Sequence, residues 1–269
     1  RNLYNATHPS EINSPVSLFR NLLAWNQPGT NGLILPVNPS ASFLSILFAN
    51  ELWFTLGDMT MAEHCAMLSM IFSPRNSGSR MIKRLAEINL VNGDDEAALK
   101  YLRILDKTLL HKSWAEKRIP GQQTPRVKEW LEKKRRDIPT QDQLRSGNDA
   151  VTSLRNLVAS NAGNLRAYEY LLCYHLLSKD LRSFVEDYVP GKVSSPIFAE
   201  ALLIHLARQG NIRAEELIKY QIPVKIAKEF ADYTRLYEAK DTSLKEKYGK
   251  TYWFYYHFAT TEPGKESKP

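Results

Sequence analysis

The sequence predicts an all-α protein assembled from stacked helix–turn–helix pairs, and three observations carry that prediction. A turn residue followed by Asp or Asn recurs at Gly57-Asp58, Gly93-Asp94, Lys179-Asp180 and Gly210-Asn211. That order ends one helix in a left-handed residue and caps the next. Apolar residues flank each turn at helical spacing, as with Ile82, Leu85, Ala86 and Leu90 before Gly93 and Ala98, Leu102 and Leu105 after it. The fifth residue past the turn is small at Ala62 and Ala98, which lets paired helices approach closely, although Phe184 breaks this in the third pair. A lone pair cannot bury its apolar stripe, so several must stack.

Taken in order, residues 1–41 are rich in Asn, Pro and Ser and read as an irregular N-terminal segment. Within it a helix is expected at Val16–Trp25, a turn at Asn26–Gly29 and an apolar triplet at Leu33–Leu35. Residues 42–120 form a first helical-repeat block around Gly57 and Gly93, with Pro74 closing its first pair. One helix is expected over Ala97–Arg118, stopped by Ile119-Pro120-Gly121. Residues 121–147 read as an insertion: Pro125 starts a charged helix, Arg126–Asp137, and Pro139–Ser146 is a polar linker with a weak subdomain boundary. A second block, 148–240, carries the turns at Lys179 and Gly210 and a last long helix over Val224–Ala239. Residues 241–260 hold an aromatic capping segment, and 261–269 a polar tail expected to be disordered.

The segment Ile82…Leu85-Ala86…Gly93-Asp94…Ala98…Leu102 resembles a tetratricopeptide repeat, and Asn161-Ala-Gly-Asn164 resembles the turn between such repeats. The resemblance implies a right-handed α-α superhelix of degenerate repeats whose inner groove binds a peptide or protein. A wider set of residues, Gly57-Asp-Met…Ala62-Glu…Pro74-Arg-Asn…Lys83-Arg-Leu-Ala-Glu-Ile-Asn-Leu90, resembles an uncharacterised family of bacterial membrane proteins. In that family a soluble helical-repeat region follows transmembrane helices. It implies a periplasmic soluble domain held at the membrane by segments outside this chain, and fits a chain that opens at Arg1 rather than Met, as a processed protein or excised fragment would.

Composition removes several function classes. The twelve glycines in 269 residues fall below the ~7% usual in proteins, and their spacing allows no dinucleotide fingerprint, no phosphate-binding loop and no hydrolase elbow. Cys65 and Cys173 make neither a disulfide framework nor a C-x-x-C site. His64-Cys65 and Cys173…His175 lack the one-face spacing of metal ligands, so no metal or other cofactor is expected. A through-space Cys–His nucleophile is weighed against buried structural cysteines, and the latter reading is preferred. The acidic runs Asp94-Asp95-Glu96, Glu186-Asp187 and Glu215-Glu216 read as helix-dipole partners or solvated faces rather than acid–base pairs. Asn5-Ala6-Thr7 matches a glycosylation sequon by chance. Nothing converges into catalytic machinery, and no enzymatic activity is expected.

Three surfaces remain as candidates. Net charge is +7, and residues 101–150 alone hold 12 Lys+Arg against 7 Asp+Glu. That concentration suggests a local contact rather than a general nucleic-acid binder. Within it Lys133, Lys134, Arg135 and Arg136 are a candidate contact for an anionic membrane surface; the competing reading is a solvated helix with Trp130 packed inward. Tyr252–Phe258 is the densest aromatic run, either a cap on the open end of the helix stack or a glycan site using Trp253 and Tyr255. The tetratricopeptide resemblance implies a partner-binding groove lined by Arg80, Lys83, Glu87, Arg166, Glu169, Glu200 and Arg208. The expected function is therefore a non-catalytic scaffold for a protein or peptide, with a glycan-binding domain as the alternative and the oligomeric state left open.

Overall fold

The computed structural model describes residues 43–72, 78–140 and 150–259, which form fourteen α-helices joined by turns, with no strand among the described residues. The expectations for 1–41, including the helix at Val16–Trp25, the sequon and the apolar triplet, lie outside the described residues. So do most of the linker 139–146 and the tail 261–269. The described residues fall into two compact units, 43–167 and 168–259.

In the first unit, α1 (Phe43–Leu56) and α2 (Met59–Phe72) make one pair, and α3 (Gly78–Asn92) and α4 (Asp95–Asp106) the next. Gly57 ends α1 at φ +92°. The Asp58 N–H then reaches back five residues to the Trp53 carbonyl at 3.0 Å, and the Asp58 carboxylate accepts the Met61 N–H at 2.9 Å. The same bonds recur where Asp94 N–H donates to Asn89 and the Asp94 carboxylate accepts from Ala97. Each turn thus satisfies orphan groups of two helices at once. α1 packs on α2, α2 on α3 and α3 on α4. Ala62, Ala66, Ala86 and Ala98 are fully buried where the helices approach, with Met81, Leu85, Ile88 and Leu102 filling the layers between.

The expected helix Ala97–Arg118 is two helices. α4 stops at Asp106, and α5 (Lys112–Glu116) starts after a turn. Thr108 makes the break: its hydroxyl donates to the Leu105 carbonyl at 2.7 Å and accepts the His111 N–H at 3.2 Å. A side chain competing in this way for backbone groups ends a helix that apolar periodicity alone would continue. Pro125 opens α6 (Pro125–Arg135), which packs on α3; α7 (Ala150–Ser160) and the start of α8 (Leu165–Leu177) complete this unit.

In the second unit the rest of α8 is followed by α9 (Leu181–Asp187), α10 (Pro196–Arg208), α11 (Ala214–Lys219), α12 (Val224–Glu238), α13 (Leu244–Tyr248) and α14 (Tyr252–Phe258). Lys179 takes the left-handed conformation expected of its turn (φ +56°), and the Asp180 carboxylate caps α9 through Ser183 N–H. At Gly210-Asn211 the return bond to Leu206 forms, but α11 starts only at Ala214, with no side-chain cap. α10 is the centre of this unit, packed by α9, α12 and α14 and buried on nearly every side. Phe230, Tyr233, Tyr248 and Trp253 stack beside it with ring centroids 5.3–6.3 Å apart, the range in which aromatic pairs attract.

Candidate functional site

Arg80, Lys83, Arg84 and Glu87 lie at i, i+3, i+4 and i+7 on α3, which brings them to one side of the helix. Arg84 is the hub. Its guanidinium pairs with the Glu51 carboxylate, bonds Glu87 Oε2 at 2.8 Å and the Asn50 side-chain carbonyl at 3.2 Å, and lies 3.8 Å from the centre of the Phe54 ring. Arg80 shares Glu51 at 3.0 Å. The Glu51 and Arg84 side chains are nearly buried, so this pair holds α1 and α3 together rather than facing a partner.

Beyond that hub, cations and rings alternate. The Lys83 ammonium sits 4.9 Å above the Trp114 ring, and the Arg118 guanidinium is 4.1 Å from the same ring and 6.0 Å from Trp130. Trp130 stacks on Phe54, whose ring also carries Lys134 at 4.8 Å. Each such contact contributes about 0.5–2 kcal/mol, more where water is excluded. Lys134 donates to the Phe54 carbonyl at 3.3 Å. Burial above all, then Arg166 and Arg84, push its ammonium down to about 8 against the opposing pull of Asp137 and Glu87. Arg118 is also lowered by burial, against the pull of Glu87, and its Nε–H is buried without an acceptor among the described residues.

The basic run of α6 is therefore partly tied into the unit, through Lys134 and Arg135. Lys134 caps the end of α1, and Arg135 donates to the Leu90 carbonyl at 2.8 Å and the Val91 carbonyl at 3.0 Å at the end of α3. Lys133, Arg135 and Arg136 are all exposed. Cations at helix C-termini stabilise the carbonyls left without partners there. Asn164 completes the seam by donating to the Leu56 carbonyl at 2.7 Å and the Asp137 carbonyl at 2.8 Å. Sequence reasoning turned Trp130 inward but missed that Lys134, four residues later on the same face, must turn with it.

The seven expected groove residues divide between the units. Arg80, Lys83, Glu87 and Arg166 belong to the first, where Arg166 is half-buried and near Lys134. In the second, Glu169 is half-buried beside Cys173, and Arg208 donates to the Tyr256 hydroxyl at 2.6 Å. Glu200 does not line a surface. It is 7% exposed, its carboxylate accepts the Tyr252 N–H at 2.7 Å, and its carbonyl accepts the Trp253 indole N–H at 2.9 Å.

The glycan reading meets the same correction. Trp253 and Tyr255 are buried, and the Tyr255 hydroxyl donates to the Leu177 carbonyl at 2.7 Å, so neither ring is presented to a ligand. Both cysteines are buried, and burial pushes the Cys173 thiol well up with Glu169 adding to the effect, which disfavours a reactive thiolate. A buried His175 makes a 2.8 Å contact with Asp187, a pairing of α8 with α9 that no local spacing announced. Among the described residues no group of His, Cys, Asp and Glu is placed to hold a metal ion, and no helix is long and apolar enough to cross a membrane.

These features define an all-α protein, among the described residues, with a half-buried cluster of cations and rings on α3, α5 and α6. The chain belongs to a family of unknown function, DUF6057, whose match spans residues 17–259. No curated protein and no solved structure matches it.

Proposed function

We propose that this chain is a non-catalytic helical-repeat scaffold, a right-handed superhelix of tetratricopeptide type, that holds an extended peptide of a partner protein. The paired helices with glycine-ended, aspartate-capped turns support the repeat reading. The site is the face of α3 and α5 around Lys83, Glu87, Trp114 and Arg118. One observation carries it: Lys83 and Arg118 stand over a half-buried Trp114 ring with no carboxylate ion-paired to either among the described residues. Such an array takes a peptide carboxylate beside an apolar side chain, the cations supplying charge and the indole a flat contact. In this reading the chain is the soluble, periplasmic part of a larger membrane protein.

Selection of a displayed peptide library on the immobilised chain tests the proposal. Enriched peptides carry Asp or Glu next to aromatic or aliphatic residues, and Lys83→Glu combined with Arg118→Glu abolishes their capture. Absence of enrichment, or equal capture by the double variant, sinks it.

A further inference from the structure

The break between α4 and α5 leaves two leucines in solvent. Leu109 is 102% and Leu110 90% exposed, whereas leucine is among the residues most often buried. The turn that carries them is built rather than loose. Thr108 bonds both its ends, and the Lys112 N–H returns to the Thr108 carbonyl at 3.1 Å. Ile104, one turn earlier, is 48% exposed. Ile104, Leu109 and Leu110 thus put three exposed aliphatics within seven residues of the chain.

Charge gathers there as well. Arg103, Lys107, Lys112 and Lys117 are all exposed around the leucines, against Asp106 and Glu116. The acidic residues Asp94, Asp95 and Glu96 lie at the opposite end of α4.

We propose that the Leu109-Leu110 turn is an interfacial membrane anchor, seating both leucines at the acyl-chain boundary of an anionic bilayer while Lys107, Lys112 and Lys117 meet lipid phosphates. The shape favours a bilayer over a protein partner. A fully exposed pair of leucines with exposed Lys107 and Lys112 two residues to either side needs a deformable apolar phase beneath a layer of negative charge, and a lipid interface supplies both. The ring of cations also opposes face-to-face contact with a second copy of this turn. Lys112 and Lys117 border α5, which also carries Trp114 of the peptide site, but Leu109 and Leu110 take no part in that site, so the leucine variants separate the two readings.

Co-sedimentation of the full 269-residue chain with vesicles tests it, comparing phosphatidylcholine alone with mixed phosphatidylglycerol and phosphatidylcholine. Binding is expected only to the mixed vesicles and is expected to fall in high salt. Leu109→Ser with Leu110→Ser weakens it about tenfold, and each reversal of Lys107, Lys112 or Lys117 to Glu weakens it about fivefold. A Leu109→Trp variant is expected to shift its emission to the blue on these vesicles and to be quenched by brominated acyl chains, which reports depth rather than attraction alone. The inference is overturned by equal binding of the leucine double variant, by failure of the wild type to bind mixed vesicles, or by a leucine-dependent dimer in sedimentation velocity.

Discussion

Glu200 accepts the backbone N–H of Tyr252 through Oε2 at 2.7 Å, so a carboxylate inside α10 takes one N–H of the first turn of α14 beside the one that the Thr251 hydroxyl caps. Its carbonyl meanwhile takes the indole of the next residue. The two bonds fix where the aromatic segment lands on the second unit. Replacing Glu200 with Ala strands a buried amide and opens a hole beside Trp253, at an expected cost of about 2–4 kcal/mol. Glu200→Gln keeps an acceptor and should cost about half as much. Urea unfolding followed by near-ultraviolet circular dichroism measures both, and a wild-type midpoint for Glu200→Ala would remove that role.

Lys134 makes stability depend on pH. Its folded value, about 8, lies below the ordinary 10.5 of lysine, so between those values the unfolded chain binds more protons than the folded one. Stability contributed at this site therefore rises as pH rises from about 8 toward 10.5, and the cost of holding the charge is fully present below pH 8. Lys134→Met should stabilise the protein at neutral pH by up to about 3 kcal/mol, less the lost bond to Phe54. The advantage over wild type should shrink through the alkaline window. A constant difference across that window would refute the linkage.

Gly57 and Gly93 have similar backbones, φ +92° and +83°, but different surroundings. A Cβ at Gly93 meets open space, whereas one at Gly57 would stand 2.2 Å from the Asp137 carbonyl oxygen. Gly93→Ala should cost about 1–2 kcal/mol from the left-handed conformation alone. Gly57→Ala should cost clearly more, because the segment after α6 must lift away. Denaturation midpoints of the two variants side by side decide the matter, and equal losses would mean that the contact with Asp137 carries no weight.

Local chemistry was legible in the sequence. Gly57-Asp58, Gly93-Asp94 and even Lys179-Asp180 form the turns that their residue types require, since ending and capping a helix involve only neighbours in the chain. The break at Thr108 escaped notice because a single hydroxyl outweighed an apolar periodicity that ran on through Leu109 and Leu110. Glu200 and Trp253 escaped for another reason. Whether a helical position faces out depends on what later packs over it, and α14 lies about fifty residues downstream of Glu200 in the chain. Placing Glu200 in a groove assumed a helix with one open side, and α10 has almost none.

The basic run in α6 has a consequence for how this protein would be cut. Consecutive lysines and arginines on a short helix next to a polar linker are where trypsin would be expected to nick first. Here the head groups of Lys134 and Arg135 hold the ends of α1 and α3, so the chain between them cannot enter a protease cleft until both helices let go. Cleavage at that pair then measures how often the first unit opens rather than how loose its linker is.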